Sequence, residues 1–349
     1  MYKIVHLVPY DGIGGVETAA RTMKLVQQEN LDFEVRYICD GKNKTRAQTI
    51  KSTYNPFRLL SAALRLHGES VDVLIVSLWR SLIVGIFVKL LKPRIKLVTF
   101  LHLAKDAHLL DSITHQASFL LSSQIWADSE ATLRGRLSSS KQHHCKVISF
   151  VTKSIEASPL KKVEPVFTFW GRLNKQKGLD RAIRIFSAIH KQYPTARFLV
   201  IGPDDGDSTD IKNLCFTMGL GESVTFEGVA SFAEITSYAA QASFYLQTSV
   251  VEGMAMSVVE SMQLGLVPVV TPVGEIGTYC QHGYNAVLVD SDKKAVEDVL
   301  SLLDSNDRYQ ALRSKAIATW NDRPLYRDSV LNACRSIVEE EGFTPEGVR

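Results

Sequence analysis

The sequence predicts an α/β protein with two domains, each built on a parallel β-sheet, and three observations support this prediction. The chain has 349 residues, which is more than one compact core usually reaches. Hydrophobic residues make up 45% of the chain and charged residues 22%, so a sizeable core can form and extensive disorder is excluded. Short apolar runs rich in β-branched residues alternate with longer helix-like segments, which is typical of parallel strands joined by helical crossovers.

The first run of strands and helices begins at the amino terminus. KIVHLV predicts a first strand, and the amphipathic stretch from Val16 to Gln28 predicts the helix that follows it. Further strands are expected at FEVRYIC, VDVLIVS and KLVTFLH. The pattern pauses between Cys145 and Val163, where a strand-like start is followed by a polar stretch that contains proline. We therefore expect the inter-domain linker in this segment.

A second run follows the linker, with strands expected at VFTFWG, RFLVIG, VTFEG, SFYLQTS, VPVVT and NAVLV. Between the first two of these strands, Leu179 to Gln192 predicts a helix, because its apolar residues recur at helical spacing and form one face. Other helices are expected near Ile211 to Met218, after Ser257, and at Leu325 to Glu339. The two runs together predict one sheet in each domain.

The amino-terminal segment and the cysteines bear on cellular location. MYKIVHLVPYDG lacks the long apolar region and the small-residue cleavage site of a secretory signal. The longest apolar stretch, Ser81 to Leu91, contains Lys89 and is shorter than the ~20 residues that span a bilayer. The five cysteines are scattered, without a CxxC motif or a Cys/His cluster, which favours neither a disulfide framework nor a zinc site. We therefore expect a cytoplasmic protein.

The net charge is distributed unevenly along the chain. Residues 1–160 hold 21 Lys and Arg against 13 Asp and Glu, a net charge of +8, which leaves −5 for the remainder. A basic first half suits contact with an anionic membrane surface or with a phosphorylated acceptor, and a merely solvated basic face is the alternative. Nucleic acid is not an expected partner, because aromatic residues are not interleaved with the basic ones.

The first candidate site is YDGIGGVET, which follows the first strand and opens a helix. Gly12, Gly14 and Gly15 leave backbone N–H groups exposed at the positive end of that helix, where phosphate oxygens bind readily. The dinucleotide fingerprint would need a third glycine at Glu17. Asp40, at the end of a strand, nevertheless fits the ribose-binding acid of an NAD-dependent oxidoreductase. That function and a purely structural glycine turn both remain alternatives.

The second candidate site is WGRLNKQKGLD, where Arg172 and Lys177 lie in a loop between a strand and an amphipathic helix. Ligands of open α/β sheets bind at the carboxyl ends of strands. Two cations there can neutralise a diphosphate and stabilise the negative charge that a departing nucleoside diphosphate develops. Lys175 is a less favoured neighbour, and a solvated basic loop is the alternative interpretation.

The third candidate site is VVEGMAMSVVESMQLGLVPVV, which contains Glu252 and Glu260. Glu252 is expected in a loop at a strand end and Glu260 in the first turn of the next helix, so both can face one ligand. A carboxylate accepts hydrogen bonds from vicinal hydroxyls, such as those of a ribose or a hexopyranose. In the alternative interpretation, Ser257 and Glu260 form a capping box that only satisfies the helix terminus.

His102 and Asp106 lie after a strand of the first domain, in TFLHLAKD. His102 could hydrogen-bond a transferred sugar or orient an acceptor, and a structural role is the alternative for both residues. The chain has no GxxxxGK[ST] loop, no HExxH and no GxSxG elbow, so these nucleotide-binding, zinc-protease and hydrolase motifs are excluded.

Several of these segments together resemble the retaining glycosyltransferases of family 4, the glycosyl transferases group 1. The likeness is carried by WGRLNKQKGLD, FEG and VVEGMAMSVVESMQLGLVPVVTPVGEIGTYCQHGYNAVLV, and also by GGVE and IWADSEATLRGRL. It implies a GT-B fold, in which two Rossmann-like domains with parallel sheets face an inter-domain cleft. Residues 1–155 would be the acceptor-binding domain, 156–322 the nucleotide-sugar-binding domain, and 323–340 a helix that crosses back to the first domain.

The resemblance also implies roles for individual residues. Arg172 and Lys177 would bind the donor diphosphate, and Glu260 would hold the ribose hydroxyls. Glu252 and His102 would contact the sugar as catalytic residues. Further donor contacts would come from residues that contribute mainly backbone groups: Gly14, Gly15, Gly228, Val229, Gly253, Met254, Ala255 and Met256.

The function implied is transfer of a sugar, with retention of anomeric configuration, from a nucleotide-diphosphate sugar to a glycan or lipid-linked glycan. Synthesis of a cell-surface polysaccharide, lipopolysaccharide or glycolipid is the expected context, at the cytoplasmic face of a membrane. Neither a cofactor nor a metal ion is expected. One departure from the family is SFVTKS after the linker strand, where a PNGVD-like turn is common. A sugar-nucleotide-binding protein without catalytic activity is a further alternative.

Overall fold

The computed structural model describes residues 1–339 except 13, 25, 29, 40–45, 107, 138–143 and 160–161. The chain divides into two compact units, one formed by Met1–Lys153 with the segment from Pro324 onward and the other by Ser154–Arg323. Each unit is built on one sheet with helices packed against it. The predicted α/β fold class is therefore confirmed.

The first unit contains a seven-stranded sheet with β1 near its centre. The strands are β1 (Tyr2–Tyr10), β2 (Val26–Gln28), β3 (Leu31–Cys39), β4 (Val73–Ser77), β5 (Lys96–Leu101), β6 (Gln124–Ala127) and β7 (Cys145–Val147). Their order across the sheet is β2-β3-β1-β4-β5-β6-β7. Ile4 of β1 pairs in parallel with Phe33 of β3 on one side and with Val73 of β4 on the other. Strands β1, β4 and β5 are buried almost throughout, as expected for the interior of a parallel sheet, whereas buried and partly exposed residues alternate along β3.

The prediction of one helix from Val16 to Gln28 is wrong. Helix α1 (Gly15–Arg21) ends after two turns, and β2 then pairs antiparallel with β3, so that Val26 lies opposite Phe33. Both of these side chains are buried. Pairing with a neighbouring strand satisfies the backbone groups of this edge strand and buries Val26, and this tertiary gain overrides the helical pattern.

A row of helices covers one part of the first sheet, and α4 (Trp79–Leu91) lies between α3 (Pro56–His67) and α5 (Leu109–Leu121). The last helix, α14 (Tyr326–Glu339), belongs to this unit, and the backbone N–H of Tyr326 donates to the carbonyl of Val151 at 2.7 Å. The Tyr326 ring is buried against Phe150 with ring centroids 5.3 Å apart. The remaining helices of the unit are α2 (Arg46–Ser52) and α6 (Glu130–Arg136).

The second unit contains a six-stranded sheet in which every pairing is parallel. The strands are β8 (Val166–Trp170), β9 (Arg197–Ile201), β10 (Val224–Gly228), β11 (Phe244–Gln247), β12 (Val267–Val270) and β13 (Val287–Leu288). Their order is β10-β9-β8-β11-β12-β13, so β8 and β11 are central neighbours. Phe167 of β8 and Phe244 of β11 stack with centroids 5.0 Å apart in the core between strands and helices.

Helix α7 (Leu179–Gln192) has the bounds that the apolar periodicity predicts, and the buried side chains on its sheet-facing side include Leu179, Ile183 and Phe186. The predicted packing face is confirmed. The other helices of this unit are α8 (Ser208–Thr217), α9 (Phe232–Gln241), α10 (Met256–Gln263), α11 (Ile276–Tyr279), α12 (Asp292–Leu303) and α13 (Asn306–Ala318). Within the described part of the chain, no helix is both long and apolar enough to span a bilayer.

Candidate functional site

The candidate site of the second unit is built at the carboxyl edge of its sheet, where the ends of β8, β10 and β11 lie close together. Gly202, after β9, donates its backbone N–H to the carbonyl of Gly228 at 2.6 Å. A Cβ atom on Gly202 would lie 1.8 Å from the carbonyl oxygen of Gly171, so only glycine permits this approach of two strand ends. The loops that carry the second and third motifs begin at this edge.

Lys177 and Glu252 form a largely buried ion pair at this edge. Lys177 lies in one turn of 3₁₀ helix (Lys175–Lys177), and its Nζ donates to Glu252 Oε1 at 2.6 Å. The same oxygen accepts from the Ser249 hydroxyl at 2.7 Å and from Gln247 Nε2 at 3.1 Å. A carboxylate removed from water needs such partners, and these three donors hold Glu252 in a fixed position through Oε1.

A polar network continues from this pair into the core. Gln247 Oε1 accepts from the hydroxyls of Tyr245 at 2.6 Å and Ser257 at 3.1 Å. The Tyr245 hydroxyl also lies 3.1 Å from the carbonyl oxygen of Trp170, so its single hydrogen is shared between two acceptors. Burial raises the pKa of Tyr245 well above its ordinary value, so this residue is a neutral donor. The network links the ends of β8 and β11 to the start of α10.

Two glycines bring the backbones of the site together. Gly178 adopts φ +62°, and a Cβ atom there would lie 2.0 Å from the carbonyl oxygen of Thr248. Gly274 adopts φ +58°, and its Cβ would lie 2.2 Å from the carbonyl oxygen of Glu252. Both positions require a left-handed backbone and leave no room for a side chain. The loop with Lys177 and the loop with Glu252 are therefore fixed by backbone packing as well as by their ion pair.

Arg172 follows β8 and is already paired with a carboxylate. Its Nη1 donates to Asp205 Oδ2 at 2.8 Å, and Asn174 Nδ2 donates to the same oxygen at 3.0 Å. Arg172 and Asp205 are both partly exposed, so this pair contributes little to stability. The pair orients one side of the guanidinium. The N–H groups on its other side can still donate to a ligand.

Glu260 lies in α10, and its Oε2 accepts from Trp170 Nε1 at 3.0 Å. The capping-box alternative is wrong, because the residue before α10 is Ala255 and the Ser257 hydroxyl donates to Gln247 instead of capping the helix. The half-buried Glu260 is thus held against the last residue of β8, two positions before Arg172. The second and third motifs meet at this contact.

The segment from Gly253 to Met256 links Glu252 to α10. Ala255 has φ +56°, which is unusual for a residue with a side chain and signals local strain. The carbonyl of Gly253 accepts from the backbone N–H of Glu275 at 3.0 Å, and the carbonyl of Met254 accepts from the Tyr279 hydroxyl at 3.0 Å. These contacts secure the carbonyl groups, while the N–H groups of the first turn of α10 lie at its positive end.

The other predicted residue pairs lie at strand or helix ends. Gly228 ends β10 with φ +70°, and Val229 after it is exposed.

In the first unit, Gly14 caps α1 in an extended conformation and Gly15 begins that helix. The carboxylate of buried Glu17 lies next to Gly14, where a Cβ atom would be 2.4 Å from Oε2. Asp40, on which the oxidoreductase alternative partly depends, lies outside the described residues.

His102 follows β5 and belongs to a buried chain of polar groups. The Ser77 hydroxyl lies 2.9 Å from His102 Nε2 and 2.8 Å from His6 Nε2. Because this hydroxyl has one hydrogen, it donates to one imidazole and accepts from the other. His102 Nδ1 lies 3.9 Å from a carboxylate oxygen of Asp128, which is beyond hydrogen-bond distance.

Both imidazoles of this chain are neutral. Burial lowers the pKa of His6 to about 3. Burial also lowers the pKa of His102 well below its ordinary value, and the nearby His6 and His115 add to this shift. A buried neutral histidine can exchange hydrogen bonds with hydroxyl groups and adds no charge to the carboxyl edge of the first sheet.

Asp106 belongs to a cluster with Asp111 and His115, whose ligand atoms lie close enough together to hold a metal ion. Arg136 occupies the position of the counter-charge, since it forms ion pairs with both Asp106 and Asp111. Its Nε also donates to the carbonyl of Leu103 at 2.9 Å. One of the two negative charges of this cluster is therefore balanced by Arg136 itself, whose contacts tie the loop after β5 to α6.

Comparison with known proteins shows what the second half of the chain is similar to. Residues 150–319, just under half of the chain, match the model of the family described as glycosyl transferases group 1. This region is therefore similar to a group 1 glycosyltransferase domain. The matched region includes the ion pair of Lys177 and Glu252, Arg172 and Glu260, so every acidic and basic residue predicted for donor binding lies within it.

Curated relatives show the same similarity in sequence. GDP-mannose:cellobiosyl-diphosphopolyprenol alpha-mannosyltransferase from Xanthomonas oryzae is 25% identical over 154 residues, covering 43% of this chain and 40% of that protein. Alpha-monoglucosyldiacylglycerol synthase from Acholeplasma laidlawii is 21% identical over 167 residues, covering 48% of this chain and 41% of that protein. The alignments thus span about 40% of the length of these relatives.

The crystal structure of HepE from Anabaena in complex with UDP and glucose superposes with a TM-score of 0.75 and 16% identity, covering 96% of this chain and all of that one. The fold of the whole chain is therefore the GT-B fold, as the resemblance of the sequence implied.

The sequence left several members of the site unrecognised. Trp170, Gln247 and Ser249 bind the predicted acids, and Asp205 binds the predicted arginine. All four follow from strand position, since they end β8 or β11 or lie just beyond β9 and β11. Polar residues at the last positions of apolar strands are the signal that could have identified them. His6 carries no such signal, because it lies within a continuous apolar run.

Proposed function

We propose that the protein transfers a sugar, with retention of anomeric configuration, from a nucleotide-diphosphate sugar to a glycan or lipid-linked glycan. The observation that carries this proposal is the buried contact of Lys177 with Glu252 at the carboxyl edge of the second sheet, within the region that matches the group 1 family. This contact places a cation, which can bind a phosphate, next to a carboxylate, which can accept hydrogen bonds from sugar hydroxyls. In this proposal the second unit binds the donor and the first unit binds the acceptor.

The donor diphosphate would bind to Lys177 and Arg172. Lys177 has three N–H donors and uses one for Glu252, while Arg172 uses Nη1 for Asp205. The remaining donors can bind phosphate oxygens, and the N-terminal end of α7 adds partial positive charge next to Lys177. Fixed cations of this kind stabilise the charge of the leaving nucleoside diphosphate, so the proposal requires no metal ion and no cofactor.

The hydroxyl groups of the donor would be bound by the two acids. Glu260, oriented by Trp170, would accept from the ribose hydroxyls. Glu252 is held through Oε1, so its Oε2 would accept from the transferred sugar. The remaining donor contacts would come from Gly14 and Gly15 at the distal phosphate, from Gly228 and Val229 beside the base, and from the amides of Gly253, Met254, Ala255 and Met256.

In the chemical step, the acceptor hydroxyl oxygen would bond to the anomeric carbon on the face from which the diphosphate departs. The bond from the anomeric carbon to the phosphate oxygen breaks, and that oxygen takes the proton of the acceptor hydroxyl. No protein nucleophile is needed, and the residues contribute position and charge stabilisation. His102 would hydrogen-bond the sugar or the acceptor as a neutral group.

The relatives support the substrate classes of this proposal. The name of the Xanthomonas relative specifies GDP-mannose as donor and a cellobiosyl-diphosphopolyprenol as acceptor, and that of the Acholeplasma relative specifies a glucosyl lipid. The Anabaena structure holds UDP and glucose. We therefore propose a role in the synthesis of a cell-surface polysaccharide, lipopolysaccharide or glycolipid, with peripheral contact to an anionic membrane at its cytoplasmic face.

A ligand panel tests the proposed function. Thermal unfolding would be measured with UDP-, GDP-, ADP- and TDP-sugars and with NADH. One nucleotide sugar is expected to stabilise the protein by about 2.7 kcal/mol at a hundred times its dissociation constant. Stabilisation by NADH alone would contradict the proposal and favour the oxidoreductase alternative. Saturation by a donor without glycoside formation from any glycan or lipid-linked acceptor would indicate a binding protein instead of an enzyme.

A further inference from the structure

Exposed apolar side chains are concentrated on three neighbouring helices of the first unit. Helix α4 contacts α3 on one side and α5 on the other, so the three helices are neighbours, and we call their solvent-facing sides the three-helix surface. Soluble proteins rarely expose apolar groups contiguously without a binding role. Its large exposed side chains are Phe57, Leu60, Leu64, Phe87, Leu90, Leu91, Leu109, Leu110, Ile113 and Leu120.

Helix α3 shows that this exposure follows a pattern. Phe57, Leu60 and Leu64 recur at three- and four-residue spacing, which places them on one face of the helix. Phe57 is 79% exposed, so this apolar stripe faces solvent. The opposite face of α3, with Ala63 and Leu66, packs into the core. The helix therefore has a second apolar face that the fold itself does not use.

The exposed charged residues of the three-helix surface are basic. Helices α3, α4 and α5 contain only one acidic residue, Asp111, which is buried and paired with Arg136. Exposed Arg65 and Arg94 lie close in sequence to the apolar ends of α3 and α4. An apolar surface with basic and without exposed acidic residues on its helices matches the interface of an anionic bilayer, where acyl chains lie beneath negative headgroups.

An aromatic and cationic cluster lies at the N-terminal ends of the same helices. The guanidinium of Arg80 lies 3.9 Å from the ring centroid of Tyr54 and 4.6 Å from that of Trp79. Trp79 also contacts His108 with ring centroids 5.1 Å apart. Amphipathic rings and arginine are favoured at the level of lipid headgroups, because one end of each group is apolar and the other polar. The cluster thus favours a bilayer over an apolar protein partner.

We infer that the three-helix surface docks the protein on an anionic lipid bilayer. The inference rests on the membrane contact of the proposed function and adds the surface that makes it. Side chains of α3 and α5 insert among the acyl chains, and Arg65 and Arg94 bind the headgroups. In an α/β unit, the N-terminal ends of these helices lie at the carboxyl edge of the first sheet. Docking through the three-helix surface therefore places this edge beside the bilayer, within reach of a lipid-linked acceptor.

The experiment is co-sedimentation with vesicles of phosphatidylglycerol and phosphatidylcholine, compared with vesicles of phosphatidylcholine alone. The full chain is expected to bind the anionic vesicles, and binding is expected to weaken at about 0.5 M salt, where charges are screened within a few Å. A triple variant of α3, Phe57→Ser with Leu60→Ser and Leu64→Ser, is expected to bind at least ~10-fold more weakly. Arg65→Gln with Arg94→Gln is expected to weaken binding to anionic vesicles by roughly 10- to 30-fold.

Phe216→Ser is the matched control, because Phe216 is 84% exposed but lies on α8 of the second unit. It is expected to leave vesicle binding unchanged. Failure of the full chain to bind anionic vesicles, or equal losses in the control and the α3 variant, would overturn the inference. Self-association that the α3 variant abolishes, without vesicle binding, would assign the surface to a second copy instead. Nucleotide-sugar stabilisation, measured on the same samples, reports separately on the proposed function.

Discussion

The carboxyl edges of the two sheets carry different chemistry. The edge of the second sheet holds charged groups in pairs, Lys177 with Glu252 and Arg172 with Asp205. The edge of the first sheet also carries ion pairs, of Arg136 with Asp106 and Asp111, but next to them lies a neutral chain through Ser77, with buried histidines on either side. The charged pairs of the second sheet suit a diphosphate, whereas the neutral chain of the first sheet suits hydroxyl groups of an acceptor. The two units therefore have similar folds but can bind ligands of different chemistry.

The largest effect is expected from removing the cation of the buried pair. Lys177→Met is expected to lower the rate of transfer by about 100- to 1000-fold, because the leaving diphosphate loses a fixed charge and Glu252 loses its strongest donor. Lys175→Met is the matched control in the same 3₁₀ turn, since Lys175 is exposed. Initial rates with saturating donor and acceptor measure the effect. Equal rates for the two variants would contradict the role assigned to Lys177.

The neutral chain of His6, Ser77 and His102 predicts a loss of stability in acid. The pKa of His6 is lowered to about 3 in the folded protein, whereas in the unfolded chain it has its ordinary value of about 6.5. As the pH falls, the unfolded chain therefore takes up a proton at His6 before the folded protein does, which favours unfolding. Stability is therefore complete above about pH 6.5 and falls as the pH decreases towards 3. Between pH 7.5 and 4.5, protonation of His6 in the unfolded chain lowers the free energy of unfolding by about 3 kcal/mol.

Denaturant unfolding at pH 7.5 and 4.5 measures this contribution. In His6→Phe, the difference in unfolding free energy between the two pH values is expected to be smaller by about 3 kcal/mol. Ser77 keeps its hydrogen bond to His102 in this variant. Replacement of the exposed His67 by Gln is the control and is expected to leave the pH dependence unchanged. An unaltered pH dependence in His6→Phe would contradict a buried neutral state for His6.

The smallest effect is expected at the charged edge, where Asp205 competes with the ligand for Arg172. Asp205→Asn keeps an oxygen that accepts from Arg172 but removes a negative charge, so a nucleoside diphosphate is expected to bind about 2- to 5-fold more tightly. Isothermal titration with UDP and GDP measures the change. Weaker binding would mean that the charge of Asp205 positions Arg172 and that this positioning outweighs the competition.

The sequence was sufficient for features determined by local pattern. Helix α7 was predicted because its apolar residues repeat with the helical period. All six strands of the second sheet, and β1, β3, β4 and β5 of the first, were predicted because their runs are apolar and β-branched, whereas the short β6 was not. The region that forms β2 was mispredicted, because pairing with β3 depends on tertiary structure that a helical pattern does not report. Local signals therefore predicted the architecture but not the limits of its edge strand.

For the candidate site, the sequence predicted the main charged residues but not their partners. Lys177 and Glu252 are 75 positions apart, and the resemblance to the glycosyltransferases, together with their residue types, assigned both to one donor. The role of Glu260 was ambiguous, because its position three residues after Ser257 also fits a capping box. The structure excludes the capping box, since Ala255 precedes α10 and the Ser257 hydroxyl donates to Gln247. The indole of Trp170 donates to Glu260, and the binding of a ribose by Glu260 stays a prediction. Contacts between side chains that are far apart in the sequence leave no periodic pattern of residues, so the sequence alone does not predict them.

The contact between Trp170 and Glu260 gives the protein an internal optical reporter. The indole N–H of Trp170 donates to the carboxylate that we assign to the donor ribose, and the ring lies 4.6 Å from that of Tyr245. The emission of an indole depends on the polarity and hydrogen bonding around it. Arrival of a nucleotide at Glu260 would therefore change the intrinsic fluorescence of the protein, so that binding can be followed in real time without a label.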